Sequence, residues 1–158
     1  MDIWLLRHAI AEEVSASGRD ADRALTPDGL RRAERVARGL AALEPSIDLV
    51  LTSPYRRARQ TAEPVARALG LARSLRETRA LEPGRDPREV LDEVRAEETV
   101  GVLLVGHEPY LGVLLGILVA EGRAALPLKK AAAAWIALED GAGTLKALLP
   151  ARVLERIR

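Results

Sequence analysis

The stretch VGVLLVG, residues 100–106, is the part of the sequence that decides the fold. Its first six residues are a nearly continuous aliphatic run, which is typical of a strand buried on both faces of a parallel sheet. Shorter apolar runs at residues 3–6 and 47–51 predict two further buried strands. Helical patterns lie between the runs, so strands alternate with helices along the chain. This order predicts a three-layer α/β/α sandwich with a mainly parallel central sheet.

Capping signals mark the helices between these strands. Thr26, Pro27 and Asp28 form a typical helix start, because Thr caps free amides, Pro suits the first turn and Asp suits its positive end. Apolar residues then recur with helical spacing to about residue 44. Residues 71–85 are expected to form a loop. The remaining predicted elements are helices at about 55–69, from 86 onward and at 110–121, and a hairpin formed by 133–138 and 144–149.

Composition and charge narrow the classes of function. A chain of 158 residues with 48% apolar and 30% charged residues is expected to form one soluble domain, residues 1–158. The net charge of +1 favours neither nucleic acid nor a membrane surface as a partner, and the absence of Cys excludes disulfides and thiolate chemistry. The first residues lack the basic-then-apolar pattern of a secretion signal. The most apolar segment is about half as long as the ~20 residues of a membrane span. We therefore expect a cytoplasmic protein.

Reactive side chains follow each of the three predicted strands. Arg7-His8 follows the first run, TSPYR (52–56) follows the second, and Gly106-His107 follows the third. Ligands of open α/β sheets bind beyond the carboxyl ends of the strands, so both histidines of the protein are expected to converge there with Arg7 and Arg56. Guanidinium groups suit phosphate oxygens, and a neutral His can attack phosphorus. The pattern therefore predicts a phosphoryl-transfer site.

The same residues resemble the signature motifs of the histidine phosphatase superfamily, also called phosphoglycerate mutase-like. Leu6-Arg7-His8-Ala9 is similar to its Arg-His-Gly loop, with Ala9 where Gly is usual. TSPYRRARQT (52–61) resembles its Ser-Pro-x-x-Arg-Ala-x-x-Thr motif, and GHEP (106–109) resembles the motif that supplies a second His. Residues 23–29 are similar to a stretch that precedes the first helix in this superfamily. Residues 81–86 and the short chain are most similar to phosphohistidine phosphatases of the SixA type.

The resemblance implies roles for the residues that match these motifs. His8 is the expected nucleophile, which becomes transiently phosphorylated. Arg7 and Arg56 are expected to bind the phosphoryl oxygens, and His107 is expected to hydrogen-bond the same group in the transition state. Arg23 matches an additional arginine of the phosphate pocket. The resemblance implies no metal ion and no cofactor.

Other basic residues near these motifs have simpler interpretations. Arg57 and Arg59 are predicted to be solvated positions of the second helix. Lys129-Lys130 is predicted to be an exposed pair before the hairpin, on the side where the mouth of a substrate site could lie.

The general acid is not defined by a motif. Larger members of the superfamily carry a Glu in an inserted helical segment, and only a short loop occupies that region here. Glu82, Asp86 and Glu108 are the candidates for an acid or an orienting group. Asp86 also fits the position of a helix cap. A phosphohistidine substrate needs less help than an ester, because a protonated imidazole is a better leaving group than an alkoxide.

Three hypotheses about function follow. The first is a metal-independent phosphatase that acts on a phosphohistidine-bearing protein through His8. The second is the same chemistry on a small phosphomonoester, such as a sugar phosphate or a nucleotide. The third is a module that binds phosphorylated partners without turnover, and the presence of both histidines argues against it. A mutase is disfavoured, since the chain is short for the segment that holds a bisphosphate intermediate.

Overall fold

The computed structural model describes all residues from 1 to 158. Six strands and five helices alternate along most of the chain. The strands are β1 (Asp2–Arg7), β2 (Leu49–Thr52), β3 (Leu75–Glu77), β4 (Gly101–Gly106), β5 (Ala133–Glu139) and β6 (Ala142–Leu149). The helices are α1 (Pro27–Ala41), α2 (Arg56–Ala68), α3 (Pro87–Arg95), α4 (Tyr110–Ala120) and α5 (Ala151–Leu154), with short 3₁₀ turns at Asp20–Asp22, Ala72–Ser74 and Arg79–Leu81.

The strands form one sheet in the order β3-β2-β4-β1-β5-β6. β3, β2, β4 and β1 are parallel, whereas β5 and β6 are antiparallel to their neighbours. The aliphatic strand β4 lies between β2 and β1, so the three strands predicted from apolar runs are adjacent and their carboxyl ends share one edge. The predicted α/β class with a mainly parallel sheet is confirmed.

Alternation along the strands divides the interior into two cores. Successive side chains of a strand point to opposite faces. Trp4 and Leu6 therefore pack with α1, α2 and α5 on one face, whereas Ile3 and Leu5 pack with α3 and α4 on the other. Both faces of the sheet are covered, which gives the three layers. None of the helices, including the apolar α4, meets the length and hydropathy that a bilayer-spanning helix requires.

Two local features fix the chain that follows β1. The Thr26 hydroxyl accepts a hydrogen bond from the Gly29 amide at 3.0 Å, with Pro27 at the first helical position, as the cap signals predict. Gly29 packs directly against the carbonyl of Ile10, so a Cβ at this position would collide with backbone. The start of α1 therefore holds the loop after His8 in place.

The structure differs from the sequence prediction mainly at β3. Residues 71–85 were expected to be a loop, but residues 75–77 add a parallel edge strand to β2. This strand has three residues, two of them charged, so no apolar run signals it. The predicted hairpin is confirmed, with strands one to two residues longer. Its turn uses Asp140 and Gly141, both with positive φ, as a two-residue hairpin turn requires.

Candidate active site

The backbone of His8 is held at the carboxyl edge of the sheet from both sides. Its amide donates to the Gly106 carbonyl at 3.0 Å, which extends the pairing of β1 with β4 by one residue. On the other side the Ala131 amide donates to the carbonyls of Arg7 (3.1 Å) and His8 (3.2 Å). The following amide, that of Ala9, donates to the Thr61 hydroxyl of α2 at 3.1 Å. His8 is 7% exposed and sits on a rigid support.

The hydrogen bonds of His8 assign its tautomer. Nδ1 lies 2.7 Å from the Ala9 carbonyl oxygen, which can only accept, so Nδ1 carries the proton. Nε2 then keeps a lone pair, and Arg57 Nε donates to it at 3.3 Å. Burial lowers the pKa of His8 to about 4; the Ala9 carbonyl opposes this shift, and the charges of Arg57, Arg7 and Lys130 add to it. Near neutral pH the ring is neutral, with the free electron pair on Nε2.

The structure places His107 beside His8, with the ring centroids 5.2 Å apart. His107 is 2% exposed, and its Nε2 lies 2.8 Å from the hydroxyl of the fully buried Ser53. Burial lowers the pKa of His107 to about 3, and the neighbouring His8 contributes to the shift. Its Nδ1 is buried without a partner. If the Ser53 hydroxyl donates to Nε2, Nδ1–H is left as a free donor within the site.

Arg57, and not Arg56, is the arginine of α2 that reaches His8. Arg57 is 5% exposed, and besides Nε2 of His8 it binds Asp20 through the backbone oxygen (2.7 Å) and the carboxylate (2.9 Å). Arg56 is exposed at the first position of α2. Consecutive helical residues point about 100° apart, since a turn takes 3.6 residues, so only one of the two can face the site. The prediction that Arg57 is solvated is wrong. Arg56 forms no hydrogen bond with either histidine, so Arg57 replaces it as the candidate arginine for binding a phosphoryl group. Arg59 is exposed, as expected, and pairs with Glu77 at 3.4 Å.

The other two predicted arginines, Arg7 and Arg23, have different surroundings. Arg7 donates to the Leu128 carbonyl at 2.8 Å, and its buried Nε has no partner. Burial lowers the pKa of Arg7, and the charge of Glu108 opposes that shift. Arg23 does not contact either His; it donates to the Glu12 carbonyl at 2.6 Å and to the Asp20 carboxylate at 2.7 Å. Asp20 thereby links Arg23 to Arg57.

None of the three acid candidates hydrogen-bonds to a catalytic His. Glu82 pairs with Arg79 at 3.2 Å. The Asp86 carboxylate accepts from the Arg88 amide at 2.9 Å and caps α3, which confirms its capping position. Glu108 accepts from the Leu128 amide at 2.8 Å and so fastens the segment before β5. These contacts show that Asp86 and Glu108 stabilise the local backbone.

Asp20 is the carboxylate that the structure does bring to the site, and the sequence analysis missed it. Its partial burial would raise its pKa, but hydrogen bonds from Arg23 and Arg57 hold the pKa below the usual range. Asp20 is therefore ionised near neutral pH and does not serve as a proton donor. In the sequence, only its position three residues before Arg23 marks Asp20. That spacing does not indicate a role at the site unless the contact with Arg57 of α2 is known.

Tyr55 completes the wall around His107. Its ring meets the His107 ring edge-on at a centroid distance of 5.2 Å, and the Arg57 guanidinium lies 5.1 Å from the Tyr55 centroid. Such contacts favour one ring orientation and one guanidinium position. The site thus contains two neutral imidazoles, one lone pair at Nε2 of His8, the buried guanidinium of Arg57 and the half-buried guanidinium of Arg7. This combination can bind a phosphoryl group and attack its phosphorus.

Lowering the pH from about 7 to about 5 is expected to reduce the free energy of unfolding. The folded chain keeps His8 and His107 neutral down to about pH 4 and about pH 3, whereas unfolded His is protonated near pH 6.5. The unfolded state therefore binds more protons in this window, so stability is present above pH 6.5 and is lost as the pH falls towards 4.

Urea unfolding midpoints at the two pH values measure this effect. The double variant His8→Asn, His107→Asn removes both titrating groups, and its midpoint is expected to fall less over the same interval. An equal fall in the variant and the wild type would assign the pH dependence to other residues.

Comparison with known proteins places the chain among phosphatases. The profile of the histidine phosphatase superfamily (branch 1) matches residues 3–82. The phosphohistidine phosphatase SixA of Escherichia coli strain K12 is 33% identical over 118 residues, which cover 73% of this chain and 72% of that protein. A solved structure of the protein histidine phosphatase SixA complexed with tungstate is 29% identical, with a TM-score of 0.87 and coverage of 96% and 98% of the two chains.

A more distant structure shares the fold alone. The phosphoglycerate mutase of Bacillus anthracis strain Sterne is 14% identical, with a TM-score of 0.76 over 98% of this chain and 95% of that one. The phosphoglycerate mutase-like architecture is therefore confirmed.

Proposed function

We propose, on the premise that this chain belongs to the histidine phosphatase superfamily, that it is a phosphatase of the SixA type, which removes phosphoryl groups from phosphohistidine in a protein. One observation carries the proposal: the Nε2 lone pair of a buried, neutral His8 lies against the buried Arg57. The SixA relatives, at 29–33% identity over most of the chain, support the choice of substrate class.

In the first step Nε2 of His8 attacks phosphorus. A bond forms between phosphorus and Nε2, and the bond between phosphorus and the substrate imidazole nitrogen breaks. The proton remains on Nδ1, where it is hydrogen-bonded to the Ala9 carbonyl. This hydrogen bond stabilises the positive charge that develops on the His8 ring. The low pKa of His8 keeps the attacking nitrogen unprotonated, so no base is needed to activate it.

In this proposal, charge on the phosphoryl oxygens is stabilised by donors that have no other partner in the protein. Arg57 has guanidinium hydrogens beyond those bound to His8 and Asp20, and the buried Nε of Arg7 has no other partner. His107 supplies a further, neutral donor when the Ser53 hydroxyl donates to Nε2 and the ring proton lies on Nδ1. Preformed donors of this kind are commonly the largest contribution to catalysis of phosphoryl transfer.

The carboxyl groups near the site favour a leaving group that needs no general acid. No carboxyl group hydrogen-bonds to His8 or His107, and Asp20 is held ionised by two arginines. An alkoxide leaving group from an ester would need a proton from a general acid. The imidazole of phosphohistidine leaves as a neutral ring when it enters protonated, so it needs none from the protein.

In the second step water attacks the phosphoryl group on His8. The bond between phosphorus and Nε2 breaks, orthophosphate leaves with the oxygen of water, and the electron pair returns to Nε2. The same donors from Arg7, Arg57 and His107 serve this step, because it reverses the geometry of the first.

A substrate panel tests the proposed substrate class. We expect kcat/KM for a phosphohistidine peptide to exceed that for sugar phosphates and nucleotides by about 10²-fold or more, because their alkoxide leaving groups need a general acid that is missing here. Higher kcat/KM for an ester would assign the second function, a small-molecule phosphatase. Tight phosphate binding without turnover of any donor would assign a binding module instead.

A further inference from the structure

A basic cleft of about 380 Å³ opens beside the active site. It lies between the segment before β5 and the start of α5, with Leu128 and Leu148 among its apolar walls. Four basic residues line it: Arg32, Lys129, Lys130 and Arg152. The family motifs include none of these four, and the phosphoryl chemistry uses none of them.

The cleft is joined to the phosphate-binding groups through the backbone. Leu128 lines the cleft, and its carbonyl accepts the hydrogen bond from Arg7. The Ala131 amide, next to Lys130, donates to the carbonyls of Arg7 and His8. The Lys130 charge also acts on the His8 ring and lowers its pKa. The wall of the cleft therefore packs on the chain segment that carries Arg7 and His8.

The charges of the cleft are largely uncompensated. Arg32 is paired with Glu155 at 2.6 Å, and Glu155 also lies 3.6 Å from Arg35. Lys129, Lys130 and Arg152 are exposed and form no ion pair, although most exposed arginines of this chain have a carboxylate partner. Three unpaired cations in one cleft of a protein with a net charge of +1 favour an anionic occupant.

The form of the cleft favours a peptide over a second phosphate group. A built phosphate subsite has donors that converge on one point, and here the cations are exposed side chains on two separate segments. Leu148, a large apolar residue in the same wall, is 52% exposed. An exposed apolar residue beside exposed charges is a composition typical of a protein-recognition surface.

We propose that the basic cleft binds an acidic segment of the phosphorylated protein substrate and so selects among phosphohistidine proteins. This proposal rests on the proposed function, since the phosphohistidine enters the site next to the cleft. Lys129 and Arg152 are the specificity residues that can be changed without touching the nucleophile loop.

The test compares two phosphohistidine peptides of equal length, one with Glu residues flanking the phosphohistidine and one with Gln. In the wild type, kcat/KM for the acidic peptide is expected to exceed that for the Gln peptide and to fall with salt. In the double variant Lys129→Glu, Arg152→Glu the ratio of the two kcat/KM values is expected to fall by about tenfold or more, mainly through KM.

Arg73→Glu is the matched control for a change of charge. Arg73 is exposed and lies before β3, at the opposite edge of the sheet from the site. The control is expected to keep the wild-type ratio. An unchanged ratio in the double variant, or the same change in Arg73→Glu, would overturn the proposal. So would a double variant whose only loss is on a sugar bisphosphate, which would make the cleft a small-anion site.

Binding of the unphosphorylated acidic peptide separates the two proposals. We expect the wild type to bind it in a titration and the double variant to bind it about tenfold more weakly. If this difference is found but no phosphohistidine peptide is hydrolysed, the proposed function fails and the acidic-peptide cleft stands. If phosphohistidine peptides are hydrolysed without any difference in binding, the cleft proposal fails and the function stands.

Discussion

Replacing His8 by alanine is expected to lower kcat/KM for a phosphohistidine peptide by about 10³-fold or more, which is the order of loss when a covalent nucleophile is removed. No other neutral nitrogen in the site is placed to substitute for it. With the proton on Nδ1 and the Ser53 hydroxyl bound to Nε2, His107 has no free lone pair for attack. The measurement is initial rate of phosphate release, with the circular dichroism spectrum and melting temperature of the variant as controls for folding.

The His8→Ala variant is also expected to keep its affinity for orthophosphate within a small factor. Arg7 and Arg57 remain in place, and these supply most of the charge that binds a phosphate dianion. Retained binding with lost turnover identifies His8 as a reacting group and not as part of the binding pocket. Turnover within tenfold of the wild type would contradict the role of His8.

Arg57→Ala is expected to lower kcat/KM by about 10²- to 10³-fold, and Arg56→Ala is expected to change it less than about twofold. Loss of one preformed donor to a developing charge typically has an effect of the first size. Arg57 also donates to the nucleophilic nitrogen itself and holds Asp20. Arg56 is exposed at the start of the same helix, so it is a matched control of the same residue type one position away.

Arg57→Lys separates the charge of Arg57 from its geometry. A lysine keeps the positive charge but cannot bind His8, the Asp20 backbone and a phosphoryl oxygen together. We expect its kcat/KM to lie between those of the wild type and the alanine variant, with folding unchanged in urea titrations. A larger loss in Arg56→Ala than in Arg57→Ala would show that the assignment of the pocket arginine is reversed.

The sequence carried enough information to predict the sheet and the meeting of the two histidines. The aliphatic runs that precede Arg7 and Gly106 are buried strands, and adjacent parallel strands bring their ends together by geometry alone. The edge strand β3 could not be predicted, because a strand of three residues at the edge of a sheet needs no apolar pattern.

The sequence motif itself distinguishes Arg57 from Arg56. The motif Ser-Pro-x-x-Arg-Ala, counted from Ser53, places its arginine at residue 57, directly before Ala58. An assignment to Arg56 leaves one residue between Pro54 and the arginine, whereas the motif has two. Helical geometry makes such an error decisive, since a shift of one residue turns a side chain from the site to solvent.

The role of Asp20 could not be predicted from the sequence in the same way. It depends on contacts to Arg57, which is 37 residues away, and to Arg23 across one turn of chain. Neither contact has a local pattern. The same holds for Thr61, whose hydroxyl accepts from the Ala9 amide and donates to the Arg57 carbonyl. The packing of α2 against the nucleophile loop is a tertiary contact, which local sequence patterns do not predict.

The central claim is that Nε2 of His8 carries the phosphoryl group during turnover. The most direct measurement is rapid quenching of the enzyme with a ³²P-labelled phosphohistidine peptide, followed by peptide mapping and ³¹P NMR of the trapped protein. We predict one acid-labile phosphoryl group per chain, on His8 and bonded to Nε2, since Nδ1 is protonated and bound to the Ala9 carbonyl. Quenching must be fast enough to trap an intermediate that forms during turnover. Under that condition, label on Nδ1, on His107 or on no residue would contradict the account.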